Sequence, residues 1–62
     1  MSEISQIELR YIHELAQAHQ LASVKLESYA SECKDAKIKQ MFEQASQDAK
    51  NGIQKLNQLV SD

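Results

Sequence analysis

The chain has 62 residues, a net charge of −2, one cysteine, one glycine and no proline. It can form one domain at most, an internal disulfide is excluded, and strands, hairpin turns or a flexible linker have no Pro–Gly punctuation to build them. Charges of both signs are interspersed and aromatics number three, Tyr11, Tyr29 and Phe42, so neither the basic footprint nor the stacking ladder of a nucleic-acid binder is present.

Membrane partners are not expected either, because no apolar run approaches the roughly 20 residues of a span. Met1–Arg10 carries no apolar stretch of a signal peptide. The lone thiol suits a reducing compartment, and a cytoplasmic location is expected.

Met1–Ser5 reads as a lead-in. Ser5-Gln6-Ile7-Glu8 fits a capping box, in which a serine hydroxyl and a glutamate three residues later satisfy each other's backbone amides. Ile4 and Leu9 fall at the two positions of a hydrophobic staple. Both signals start a first helix near Gln6; Ser2 as the cap would add one turn.

The first helix is predicted to run to Cys33. Its main apolar stripe is Ile12, Leu15, Ala16, His19, Ala22, Leu26, Tyr29, Ala30 and Cys33, at spacings of three and four. A second, shorter stripe is Ile7, Tyr11, Ala18 and Leu21, with Val24 at its edge. A helix in an isolated hairpin needs one apolar face, whereas two faces at a wide angle suit a helix with two neighbours in a four-helix bundle.

Lys34-Asp35-Ala36 is the predicted corner. Asp35 is a good N-cap, and its charge suits the positive end of the following helix. No glycine follows the first helix, so an ordinary residue must make the turn. A continuous helix is the competing picture, but the apolar stripe changes phase across Lys34–Lys37.

The second helix is predicted over Ala36–Leu59. Its stripe is Ile38, Met41, Phe42, Ala45, Ala49, Gly52, Ile53, Leu56, Leu59 and Val60. Gly52 costs about 1 kcal/mol relative to alanine in a helix interior, which is either offset by close approach of another backbone or simply tolerated. Folding at the corner pairs positions whose numbers add to roughly 69, since both helices rise about 1.5 Å per residue. Leu26 then faces Phe42, Leu15 faces Ile53 and Ile12 faces Leu56. The middle level is small and polar: His19, Ala22, Ala45, Asp48, Ala49 and Gly52.

Few residues here could carry chemistry. His19, central in an apolar stripe, is either a metal ligand or proton shuttle, or a core histidine bonded to a partner such as Asp48 or reaching water at the stripe's edge. A bundle metal site wants several inward carboxylates and imidazoles, and two copies of His19 and Asp48 meeting at mid-bundle would give a zinc-like N and O set. His13 and Glu14 read as solvated. Cys33 has no base in reach and reads as a small plug under the corner. No elbow presents a serine and two helices offer no pocket, so neither an enzyme nor a cofactor is expected.

Around the corner, Tyr29-Ala30-x-x-Cys33-x-Asp35-x-x-Ile38-Lys39-x-Met41-Phe42-x-x-Ala45 resembles the pattern of small spore coat proteins related to spore coat protein F. Met1-Ser2-Glu3-Ile4-Ser5-x-x-Glu8-Leu9 is similar to the opening of the short, single-hairpin members. Ala36 stands where those proteins often carry proline. His19, Asp48 and Asn51 stand where many carry Glu, His and His, so the metal constellation of that family is eroded here.

The resemblance implies half of a ferritin-like bundle, a structural role without catalysis, and a place in the spore coat among other coat proteins. The expected fold is all-α: an antiparallel hairpin of helices 6–33 and 36–59 that dimerises into a four-helix bundle. The expected dimer interface is Ile7, Tyr11, Ala18 and Leu21. Metal binding through His19 and Asp48 is the alternative, and a groove for another protein's helix is a third reading.

Overall fold

Ser5 does what its position next to Glu8 demands. In a computed structural model, which describes residues 3–61, its hydroxyl accepts from the Glu8 amide at 3.1 Å while its own amide donates to Glu8 Oε1 at 3.0 Å. Both arms of the capping box are formed, and helix α1 spans Gln6–Glu32. It stops one residue short of the predicted Cys33. Cys33 turns extended, at φ −78° and ψ 135°, and its amide returns to the Ala30 carbonyl at 3.2 Å.

Asp35 then caps helix α2, Ala36–Ser61, by accepting from the Ile38 amide at 3.0 Å. No described residue has a positive φ, so the corner is made from ordinary conformations, as the absence of glycine there requires. Helix α2 continues past the predicted end at Leu59, through Ser61.

Four contacts fix the helices as antiparallel. Ser46 Oγ donates to the Ser23 carbonyl at 3.2 Å, the Tyr29 and Phe42 rings meet edge-on with centroids 6.0 Å apart, Lys50 Nζ reaches Glu27 Oε2 at 2.6 Å, and His19 lies over Gly52. Apart from the long diagonal reach of Lys50, these pairs sit within two of the predicted sum of 69. The register was therefore legible in the two helix lengths.

The seam differs from the prediction at several positions: Ser23 replaces Ala22 on α1, Ser46 joins on α2, and Ile38, Met41, Leu59 and Val60 of the predicted α2 stripe are exposed. On α1 it is Ile12, Ala16, His19, Ser23, Leu26, Ala30 and Cys33, all buried or half-buried, at spacings that alternate four and three. That alternation is the packing pattern of closely paired helices. Ala22, placed in the stripe by its apolar character, is exposed, and Ser23 is buried instead at 1% exposure. Leu15 and Tyr29 stand at the seam's margin, with 48% and 50% of their surface exposed. On α2 the seam is Phe42, Ala45, Ser46, Ala49, Gly52, Ile53 and Leu56.

The most buried residues are all small: Ser23, Ser46 and Ala30. Small residues let two helix backbones approach closely, and each serine hydroxyl is satisfied by a carbonyl, that of Ser23 by Gln20 at 2.9 Å. The price of this closeness is that no large apolar side chain of the described residues is fully enclosed.

Candidate functional site

His19 is held by its own helix. Its Nδ1 lies 2.9 Å from the Leu15 carbonyl. A carbonyl can only accept, so Nδ1 carries the proton and, in the neutral ring, Nε2 keeps its lone pair. The Cδ2–Nε2 edge lies against Gly52, where an added Cβ would sit 2.7 Å from Cδ2 and 3.0 Å from Nε2. The imidazole therefore fills the place of the missing side chain. The close approach expected at Gly52 is made by a ring rather than by a backbone.

Asp48 is not the partner of His19 within the hairpin. It is exposed and accepts from Gln44 Nε2 at 3.0 Å, one turn earlier on its own helix. Nor do three His, Cys, Asp or Glu side chains converge to hold a metal ion among the described residues. Cys33 is half-buried at the corner. His13 and Glu14 are exposed, and Glu14 pairs with Arg10 at 3.0 Å.

The feature that stands out is a surface. Steps of about 100° per residue place side chains around each helix, and the seam gives both wheels a common reference. Glu27 and Lys50, which pair, then lie on one broad side of the hairpin. With them go Gln20, Lys39, Glu43 and Asn57, so this side is mainly polar, with Leu9 and Val24 toward its edges.

The opposite side carries Tyr11, Leu15, Ala18, Ala22 and Tyr29 from α1, and Met41, Ala45, Gly52 and Leu59 from α2. Tyr11 is 59% exposed and Met41 69%. Tyr11, Leu15 and Ala18, with Glu14, line a shallow groove along α1. Of the predicted interface residues, Tyr11 and Ala18 lie on this apolar side and Ile7 at its rim, all three exposed. Leu21 is exposed too but falls nearly a quarter turn further round, on the back of α1 with Val24. Sequence reasoning named no α2 residue of the face, having set Met41 and Leu59 in the single stripe of the second helix. Their flank position beside Gly52 was the signal that could have found them.

Among the described residues, no helix is both long and apolar enough to cross a membrane. Two carboxylates on the hairpin are held below their ordinary range. Hydrogen bonds to the Ser5 cap, led by its backbone amide, lower Glu8, and the hydrogen bond and charge of Lys50 lower Glu27. Both are structural anions at a helix end and a helix–helix junction, with no cleft around them.

No curated protein and no solved structure matches the chain. A family of proteins of unknown function, DUF1657, matches residues 20–60, which takes in the second half of α1, the corner and nearly all of α2. The chain belongs to that family.

Proposed function

We propose that this protein is a non-catalytic assembly module whose apolar face binds a second copy of itself, making a four-helix bundle. The observation that carries this reading is the segregation of the two broad sides: Glu27 and Lys50 on one, Tyr11, Leu15, Tyr29, Met41 and Leu59 exposed together on the other. Exposed apolar patches of this continuity mark interaction sites in soluble proteins. The hairpin measures 47 × 16 × 11 Å, so a second hairpin can lie along the whole length of its broad side.

Sedimentation equilibrium at micromolar concentration tests the reading. A dimer that Leu15→Glu converts to monomer is the expected result; a stable monomer over the whole concentration range overturns it. The biological setting we propose is the spore coat, supported by the Tyr29–Ala45 pattern. In an endospore-forming host the protein then fractionates with coat extracts, and its confinement to the vegetative cytosol would remove that setting.

A metal-holding dimer is the second reading, favoured by one observation: with its Nδ1–H donating to a carbonyl, His19 is in the tautomer that metal-ligating histidines use, although its Nε2 edge must first leave Gly52. Asp48 of a second copy would have to complete the site. A rise in Tm on adding Zn²⁺ to untagged protein supports it, and an unchanged Tm ends it.

A further inference from the structure

The rim of the apolar face carries charges in a fixed order. Along α1, from the corner outward, they are Glu32, Lys25 and Glu14; along α2, in the same direction, they are Lys37, Asp48 and Lys55. The signs run −, +, − on one helix and +, −, + on the other. Five of them lie on the outer edge of the apolar side and Asp48 stands just inside it, next to Met41 and Leu59 on the wheel, where a stacked neighbour's helix would pass.

Levels can be compared because Ser23 and Ser46 are bonded across the seam. Residues whose numbers add to 69 therefore stand equally far from the corner. Glu32 and Lys37 share a level, as do Glu14 and Lys55. Lys25 and Asp48 differ by four residues, or about 6 Å at 1.5 Å per residue, which a lysine stem spans.

From this we infer that the two copies stack with their corners at the same end, on a two-fold axis parallel to the helices. The inference rests on the self-association reading and gives it a geometry. Two-fold stacking of one face on itself has two forms. With corners at the same end, α1 lies on the partner's α2 at equal height. Glu14 then meets the partner's Lys55, Glu32 meets the partner's Lys37, and Asp48 reaches the partner's Lys25, each contact occurring twice.

With corners at opposite ends, α1 lies on the partner's α1 and α2 on the partner's α2, reversed. Asp48, near the middle of α2, then falls on the partner's Asp48, and Lys55 approaches the partner's Lys37. Only Glu14 and the partner's Lys25 gain. Rim charges of this kind choose among packings that apolar contacts leave nearly equal in energy, because like charges in register are rejected.

The single native cysteine gives the test, since Cys33 sits at the corner. A spin label on Cys33, or on Lys34→Cys in a Cys33→Ser background should labelling Cys33 disturb the helix end, reports the distance between corners by dipolar spectroscopy. Corners at one end put the labels within about 25 Å, given helix spacings of 8–10 Å. Corners at opposite ends put them about 40 Å apart, the length of a 26-residue helix.

A short distance supports the proposal. A long distance in a sedimenting dimer overturns it and leaves self-association standing, whereas a monomer with no dipolar coupling overturns self-association itself. Charge reversal is the independent arm. In an Arg10→Gln background, which removes the partner Glu14 has on its own helix, Glu14→Lys and Lys55→Glu should each weaken the dimer about five-fold, the scale of exposed pairs counted twice, and together restore it to within about two-fold. A double variant no tighter than either single one overturns the inference.

Discussion

Gly52 shows how one residue's identity is set by another's shape. A glycine in mid-helix costs about 1 kcal/mol relative to alanine, so Gly52→Ala should stabilise α2 if nothing stood nearby. The His19 ring edge stands where the Cβ would go, 2.7 Å from it, and forcing extra atoms into a packed seam costs about 1–3 kcal/mol. Gly52→Ala should therefore lower stability in the native background. With His19→Ala the obstruction is gone, and the same change should raise stability by about 1 kcal/mol. Urea unfolding of the four proteins at one fixed concentration measures the cycle. A Gly52→Ala effect of the same sign in both backgrounds would show that the ring does not set the glycine. Sequence reasoning found both residues in the mid-level of the seam but not their contact, because spacing gives the level of a side chain and not where its ring lies. It chose Ala22 over Ser23 for a related reason: hydrophobicity was weighed above the alternating four–three spacing, and Ser23 meets the cost of burying its hydroxyl by donating to Gln20.

At the scale of the helix, the ends were the most legible part of the chain. The Ser5–Glu8 box and the Asp35 cap are local chemistry, written within four residues, so neither needs the rest of the fold to be recognised. The α1 terminus was less clear because Cys33 turns extended without a glycine to mark it. Ser5→Ala should cost about 1 kcal/mol, read as a fall in Tm of about 4–8 °C for a domain of this size. The other half of the box titrates. Glu8 is held below its ordinary value of 4.5 by the Ser5 amide and hydroxyl, so its folded pKa is depressed. Its contribution is complete above the unfolded pKa and is lost as pH falls through the folded one. Glu27, lowered by Lys50, adds to the slope in the same direction. Tm should thus decline between about pH 5 and about pH 3 as these carboxylates take up protons. Glu8→Gln keeps a side chain that can bond back to the cap amide and removes its titration. It should lower Tm near neutrality by the part the charge contributes, leave Tm at acid pH nearly unchanged and so make the acid decline shallower, and an identical acid profile would remove Glu8 from the account.

The whole molecule has a shape that its sequence could only half announce. The hairpin is 11 Å through its thin dimension, about the diameter of one helix with side chains. A slab one helix thick has a seam but no enclosed interior, and its buried centre is Ser23, Ala30 and Ser46. The two-stripe pattern on α1 is the ground for expecting a second neighbour. The sidedness of α2 was not visible until the corner fixed which flank of Met41 and Leu59 lies beside Tyr11 and Leu15. Full burial of such a side chain is worth about 1.5–3 kcal/mol and these four are 43–69% exposed, so covering them contributes on the order of 1 kcal/mol each before ordering costs, a sizeable part of the 5–15 kcal/mol that separates folded from unfolded domains. If the twin copy supplies that cover, folding and association are one equilibrium, and Tm must depend on protein concentration. Each tenfold increase adds about 1.4 kcal/mol to the folded dimer, a rise in Tm of about 5 °C at this size. Leu15→Glu puts a charge into the middle of the face, and it should both lower Tm and abolish the concentration dependence. Thermal scans over a hundred-fold range of concentration decide the matter: a flat Tm for the native protein would mean that the seam of small residues suffices alone and the apolar face contributes nothing to stability.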